Sequence, residues 1–199
     1  MNTDPSGIKL LMTDIFVSVS QQINTMGEKN PDQNGMGCAL IATVIAGGLL
    51  HTCHVGDVRC YVCSPSGLAQ LTNDHTQVAD MVRQGIMTRE EARNSHRRNI
   101  LTQSIGQSQY LIPEYQSYSL KGGERILLCS DGLWDMVPDI RIHAIVCQKK
   151  NIFTVCTDLN GEANSAGGKD NITVIVFENC DGVFLQLNGD DQLNEGTGK

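Results

Sequence analysis

Residues 38–46 read Cys-Ala-Leu-Ile-Ala-Thr-Val-Ile-Ala, residues 49–55 read Leu-Leu-His-Thr-Cys-His-Val, and only Gly47 and Gly48 stand between them. Two uncharged, largely apolar runs with nothing but a glycine pair between them can do little except fold back on each other. Glycine accepts the positive φ angles that a two-residue hairpin turn demands, so this stretch predicts two antiparallel strands. A second hairpin is predicted from residues 59–63 and 67–71, which flank the turn chemistry of Ser64-Pro65-Ser66-Gly67. Consecutive hairpins commit the chain to antiparallel sheets and exclude an alternating βαβ arrangement.

Helices surround these hairpins. Ile8, Leu11, Met12, Ile15, Phe16, Val19 and Ile23 recur at three- and four-residue steps after Ser6, predicting an amphipathic helix over 6–26 with Ser6 as its N-cap. Further on, Val78, Met81 and Val82 share one helical face that stops at Gly85, and Thr88-Arg89-Glu90-Glu91 has capping-box form. Short strands are predicted at 100–102, 114–120, 125–129 and 171–178, and helices at 140–149 and 152–164. Lys149 and Lys150 suit the negative end of the first of these two helices. The order is that of an α+β fold. The tail 188–199, rich in Gly, Asp, Asn and Glu, has too little apolar material to fold and is expected to be disordered.

With 199 residues, 40% of them hydrophobic, the chain can build one domain with a real core. A net charge of −7 supplies no basic tract for phosphate backbones or anionic lipid, which argues against nucleic-acid and membrane partners. No apolar stretch approaches the ~18 residues of a bilayer span, and the expected location is the cytoplasm. The cysteines at 38, 53, 60, 63, 129, 147, 156 and 180 lie mostly within apolar runs and read as reduced core thiols. Cys60 and Cys63 have CxxC spacing, but no second pair exists to complete a zinc site.

The chemistry-bearing residues are three aspartates at strand ends. Asp57 follows His54-Val55-Gly56, Asp131 follows Leu128-Cys129-Ser130, and Asp170 lies in Gly167-Gly168-Lys169-Asp170-Asn171 before the last strand. Each alone is an ordinary turn residue. Together, carboxylates converging from strand ends could hold hard divalent cations, which prefer such oxygens to thiols.

Six segments in fixed order sharpen this reading: Gly35-Met36-Gly37, Val55-Gly56-Asp57-Val58-Arg59, Leu71-Thr72-Asn73-Asp74-His75, Arg98-Asn99-Ile100-Leu101-Thr102, Ser130-Asp131-Gly132-Leu133-Trp134-Asp135 and Gly168-Lys169-Asp170-Asn171-Ile172-Thr173-Val174. In this order they resemble the type 2C (PPM) metal-dependent protein serine/threonine phosphatases, the compact bacterial ones in particular. The resemblance implies a four-layer αββα sandwich of two antiparallel sheets flanked by helices, and a phosphatase domain over residues 1–180. It implies hydrolysis of phosphoserine and phosphothreonine in proteins at a binuclear Mg²⁺ or Mn²⁺ centre with a possible third site. Asp131 and Asp170 match ligands of the binuclear centre, and Asp57 matches a ligand of the third, weaker site. Ser130 and Asn171 are expected to brace these ligands as hydrogen-bond donors, and Gly132 to let the chain turn without a Cβ clash. Residues 76–99 correspond to the family's variable flap, whose Arg97 and Arg98 would meet a phosphopeptide. Trp134 is expected to pack rather than bind, and His75 and His96 to be surface or structural residues. The implied partners are phosphorylated proteins and the opposing serine/threonine kinase.

One departure matters. The family opens with two strands carrying a phosphate-gripping arginine and an Asp-Gly-x-x-Gly stretch whose aspartate bridges both metals, whereas this sequence starts at the helix that follows. Asp32 stands before the later Gly-Met-Gly and does not match the bridging ligand. The expectation is an N-terminally truncated phosphatase, with a non-catalytic binding or regulatory module as the alternative.

Overall fold

The computed structural model describes residues 4–107 and 110–179. Cys180 and the tail 188–199 lie outside the described residues. Helix α1 runs Pro5–Lys29. Its N-cap is Asp4 rather than Ser6: the Asp4 carboxylate accepts from the Gly7 N–H at 3.3 Å, and Pro5 occupies the first turn. Proline fits there because its φ is already helical and its missing N–H would have had no partner. The buried stripe is also narrower than the spacing suggests. Met12 and Phe16 are buried while Leu11 and Ile15, on the flank, are 62% and 50% exposed.

Strands β1 (Leu40–Ala46) and β2 (Leu49–Val55) form the predicted hairpin. Ala46 faces Leu49, and the two glycines between them take φ of 57° and 77°, the double positive φ of a type I′ turn. β3 (Arg59–Ser64) and β4 (Gly67–Gln70) form the second hairpin. With β5 (Glu114–Ser119), β6 (Arg125–Cys129) and β7 (Val174–Glu178) they make two antiparallel sheets, ordered β1-β2-β5 and β4-β3-β6-β7. The strand predicted at 100–102 is absent. Leu101 makes a single bridge to Thr76, because this stretch meets another backbone at one point only.

Alternation along the strands sorts the core into layers. Cys53 and Val55 pack against Met12 and Phe16 of α1. Leu50, Cys60, Val62, Ile126 and Leu128 fill the space between the sheets. Tyr61, Cys63, Leu127 and Cys129 face α5 (Asp139–Val146) and α6 (Ile152–Ser165). The result is helix, sheet, sheet, helix. Cys60 and Cys63 therefore point to opposite sides of β3, which rules out a shared metal or disulfide between them. All seven described cysteines are free, but Cys38 and Cys147 are exposed rather than core thiols.

α5 ends three residues earlier than predicted, so Lys149 and Lys150 do not cap it. A cation from β6 does that work: the Arg125 guanidinium donates to the carbonyls of Val146, Gln148 and Lys150 at 2.8, 2.7 and 3.0 Å. Carbonyls left unpaired at a helix end need such donors. Two short helices, α2 (Gln77–Arg83) and α3 (Arg89–Asn94), form the segment between the hairpins and β5, and α3 carries the complete Thr88–Glu91 capping box. A further short helix after β6, α4 (Asp131–Trp134), was not foreseen.

Candidate metal centre

β6 delivers Asp131 directly, because the strand ends at Cys129 and Ser130 caps α4. Ser130 also ties this corner to the loop before β7. Its N–H donates to the Thr173 carbonyl (3.1 Å), its hydroxyl donates to the Asn171 carbonyl (3.0 Å) and it accepts from the Thr173 N–H (3.0 Å). Gly132 is required at this crossing, though not for a special φ: a Cβ there would lie 2.3 Å from the Asn171 carbonyl oxygen. Each carboxylate is oriented by the amide that follows it, Gly132 N–H to Asp131 Oδ1 at 3.0 Å and Asn171 N–H to Asp170 Oδ1 at 2.7 Å. Asn171 thus braces the site through its backbone, its N–H donating to Asp170 and its carbonyl accepting from Ser130. Asp131 and Asp170 line a cavity of about 90 Å³ together with Arg98, Asn99, Asp135 and Lys169.

Asp57 arrives from the β2–β3 turn and is held from the other side. Trp134 Nε1–H donates to the Asp57 carbonyl at 3.0 Å, and the same indole lies under the Arg59 guanidinium, 3.7 Å from the ring centre. Arg59 in turn makes a bidentate pair with Asp74 at 2.9 and 2.6 Å. Trp134 is a packing and positioning residue, as its sequence context predicts. Burial pushes the Asp57 carboxyl up to about 6, and the neighbouring Asp131 charge adds to this. Burial, then the Asp170 charge, raises Asp131 as well. Carboxylates close enough to raise a neighbour's pKa make a donor set suited to a divalent ion.

The flap arginines separate. Arg98 pairs with Asp135 at 3.2 and 3.3 Å and lines both the aspartate cavity and a neighbouring cleft of about 430 Å³ beneath α2 and α3. Arg97 is exposed and lines neither.

Sequence reasoning undervalued one cluster. His75 is buried, the structural of its two expected placements, and lies with His54 and Glu114 so that ligand atoms of the three fall within 4.8 Å of one another. No other described set of His, Cys, Asp or Glu side chains is drawn together so tightly, the three aspartates included. A usable signal was present: His54 and His75 each stand within three residues of a motif aspartate. His96 is exposed.

Comparison with known proteins agrees with this geometry. The model of the family "Protein phosphatase 2C" matches residues 9–98. A solved serine/threonine phosphatase from S. agalactiae is 33% identical, with a TM-score of 0.83 over 88% of this chain and 73% of that one. The chain belongs to the protein phosphatase 2C family. Its similarity extends to the serine/threonine phosphatase stp of Listeria welshimeri, 36% identical over 160 residues, which are 80% of this chain and 64% of that protein's length. The catalytic domain of the protein phosphatase PstP, solved in complex with two manganese ions, is 33% identical with a TM-score of 0.73 over 81% of this chain and 67% of its own. The type 2C sandwich of two antiparallel sheets flanked by helices is therefore the fold of this chain.

Proposed function

We propose that this protein phosphatase 2C chain hydrolyses phosphoserine and phosphothreonine in proteins, with Mg²⁺ or Mn²⁺ held by Asp131 and Asp170 and a further ion associated with Asp57. The observation that carries this reading is that Asp131 and Asp170 line one cavity, with Asp57 close enough for the Asp131 charge to add to the burial that raises its pKa. The donor set is all hard oxygen, which suits these ions. Bound there, they would supply a water acidic enough to ionise near neutral pH and a positive charge for a phosphate oxygen.

The chain's own residues set the stage. Ser130 and Gly132 lock the Asp131 corner to the Asp170 loop, and Trp134 fixes the peptide of Asp57. Arg98 and Lys169 border the cavity with positive charge where an anionic substrate would approach. Arg98 is kept there by Asp135 rather than free to swing. We place the phosphatase domain in residues 1–180 and read it as a cytoplasmic partner of a serine/threonine kinase, whose phosphorylated products it reverses. Among the described residues no helix is long and apolar enough to cross a membrane. A non-catalytic binding module is the second reading, supported by the aspartates standing further apart than His54, His75 and Glu114.

The test is a phosphothreonine-peptide assay with Mn²⁺, on the chain joined to an opening segment carrying the family's arginine and Asp-Gly-x-x-Gly stretch. Asp131→Asn or Asp170→Asn should abolish hydrolysis while the circular dichroism spectrum is kept. Activity retained in both variants would sink the assignment, and a joined chain that binds Mn²⁺ without turnover would favour the module.

A further inference from the structure

The His54–His75–Glu114 cluster has the composition of a metal site, but its geometry points elsewhere. The two imidazoles stack, with centroids 4.7 Å apart and planes 21° from parallel. An ion lies in the plane of any imidazole that binds it, so two stacked rings cannot both aim a lone pair at one ion. Three of their four nitrogens also have partners. His54 Nε2 sits 2.8 Å from the Asn73 carbonyl, which can only accept, so this nitrogen carries the proton. The Gly56 N–H donates to His75 Nδ1 at 3.3 Å, which leaves the His75 proton on Nε2, 3.5 Å from Glu114 Oε2.

We propose that half-buried Glu114 and buried His75 form a clamp that positions Asp57. This rests on the reading of Asp57 as a metal ligand. His75 grips Gly56 twice, accepting its N–H on the ring and donating its own backbone N–H to the Gly56 carbonyl at 3.0 Å. Gly56 has φ of 96°, and a Cβ there would fall 2.4 Å from that of Ala39, so the turn is enclosed from the opposite side too. The next residue is Asp57, whose carbonyl is taken by Trp134. Backbone groups on both sides of the Asp57 side chain are therefore pinned, one through His75 and one through Trp134. Glu114 anchors the assembly. It stands opposite His54 in the β2–β5 ladder and accepts from Asn73 and Gln116 at 2.7 Å each. Burial opposes its charge, but the bonds from His75, Gln116 and Asn73 outweigh it and hold the carboxyl at about 2. A permanent anion there keeps the His75 ring turned with Nδ1 toward Gly56. His75 is thus a positioning residue that need never touch substrate or metal.

The experiment compares His75→Leu, which removes the acceptor, with His75→Asn, whose amide oxygen can take the place of Nδ1. Two quantities are read: hydrogen exchange of the Gly56 amide, and a Mn²⁺ titration followed by fluorescence of Trp134, the single tryptophan of the chain. His75→Leu should speed Gly56 exchange and raise the Mn²⁺ midpoint, each about tenfold or more, the usual scale for losing an outer partner of a ligand. His75→Asn should recover most of both. Urea midpoints and circular dichroism separate this from general loosening, since a merely structural histidine would give Leu and Asn variants that differ in stability but not in the Mn²⁺ midpoint. Wild-type exchange and midpoint in His75→Leu would overturn the proposal, as would an Asn variant no better than Leu in both readouts. If His75→Leu does not fold, Glu114→Gln replaces it, with the same direction and a smaller size expected, and an unchanged Gly56 amide counting against the clamp. If the wild type shows no Mn²⁺ response, or Asp131→Asn responds like the wild type, the metal reading fails and Gly56 exchange alone decides the clamp.

Discussion

Replacing Asp57 by Asn should make the metal-free chain more stable, and the gain should disappear in acid. The carboxyl is raised from its ordinary 3.8 to about 6 by burial and by Asp131. Its folded form therefore binds a proton more readily than its unfolded form, the reverse of the usual aspartate. Stability contributed by protonation is complete below the unfolded value, falls as pH rises from about 4 to about 6, and is fully lost above that. A change of that size corresponds to about 3 kcal/mol, which the solvent still reaching the carboxylate reduces to about 2 kcal/mol. Asn is nearly isosteric and leaves the Asp57 carbonyl bond to Trp134 intact. Urea unfolding followed by circular dichroism should therefore show Asp57→Asn ahead by about 2 kcal/mol at about pH 7.5, and level with the wild type at about pH 3.5. Adding Mn²⁺ at neutral pH should close the gap, because an ion bound only by the folded state stabilises the wild type by mass action. A variant that is less stable at neutral pH, or that keeps the same advantage in acid, would refute the reasoning.

Three other outcomes are expected. Gly132→Ala, with its new methyl 2.3 Å from the Asn171 carbonyl oxygen, should cost about 2 kcal/mol or more in urea and weaken Mn²⁺ binding, since the Asp170 loop must retreat; a neutral substitution would mean that the loop yields freely. In native protein, alkylation followed by mass spectrometry should label Cys38 and Cys147 ahead of buried Cys53, Cys60, Cys63 and Cys129, and burial, which pushes the Cys60 thiol up to about 12, works in the same direction. Finally, β1 and β7 are edge strands whose residues Ile45 and Ile175 share the inner sheet faces of Leu50 and Leu128, yet are 42% and 52% exposed. β1 carries no charge, proline or bulge to discourage pairing, so the 199-residue chain should associate in size-exclusion chromatography with light scattering, and Ile45→Lys with Ile175→Lys should shift it toward monomer.

Much of the architecture was legible because it is local. Gly47-Gly48 between two apolar runs leaves a hairpin as the only compact solution, and the Thr88–Glu91 box announces its helix from four residues. The aspartates, too, could be picked out, since their motifs are short and contiguous. Errors in the local reading came where a partner distant in sequence decides the matter. α5 stops before Lys149 and Lys150, and the cation at its end is Arg125, from β6, which donates to the carbonyls of Val146, Gln148 and Lys150. Leu11 and Ile15 have helical spacing but are not covered by any of the described residues. Cys60 and Cys63 look like a pair until the pleat sends one between the sheets and the other under α5. Sequence leaves His75 as either a surface or a structural residue, because nothing near it in the chain reveals that Glu114 and Gly56, on other elements, meet its ring. Periodicity and turn chemistry act over a few residues and are written in the chain. Which carboxylates face each other, and which histidine holds their loop, depends on strands 40 or 70 residues apart meeting in one sandwich, and only the packed structure decides that.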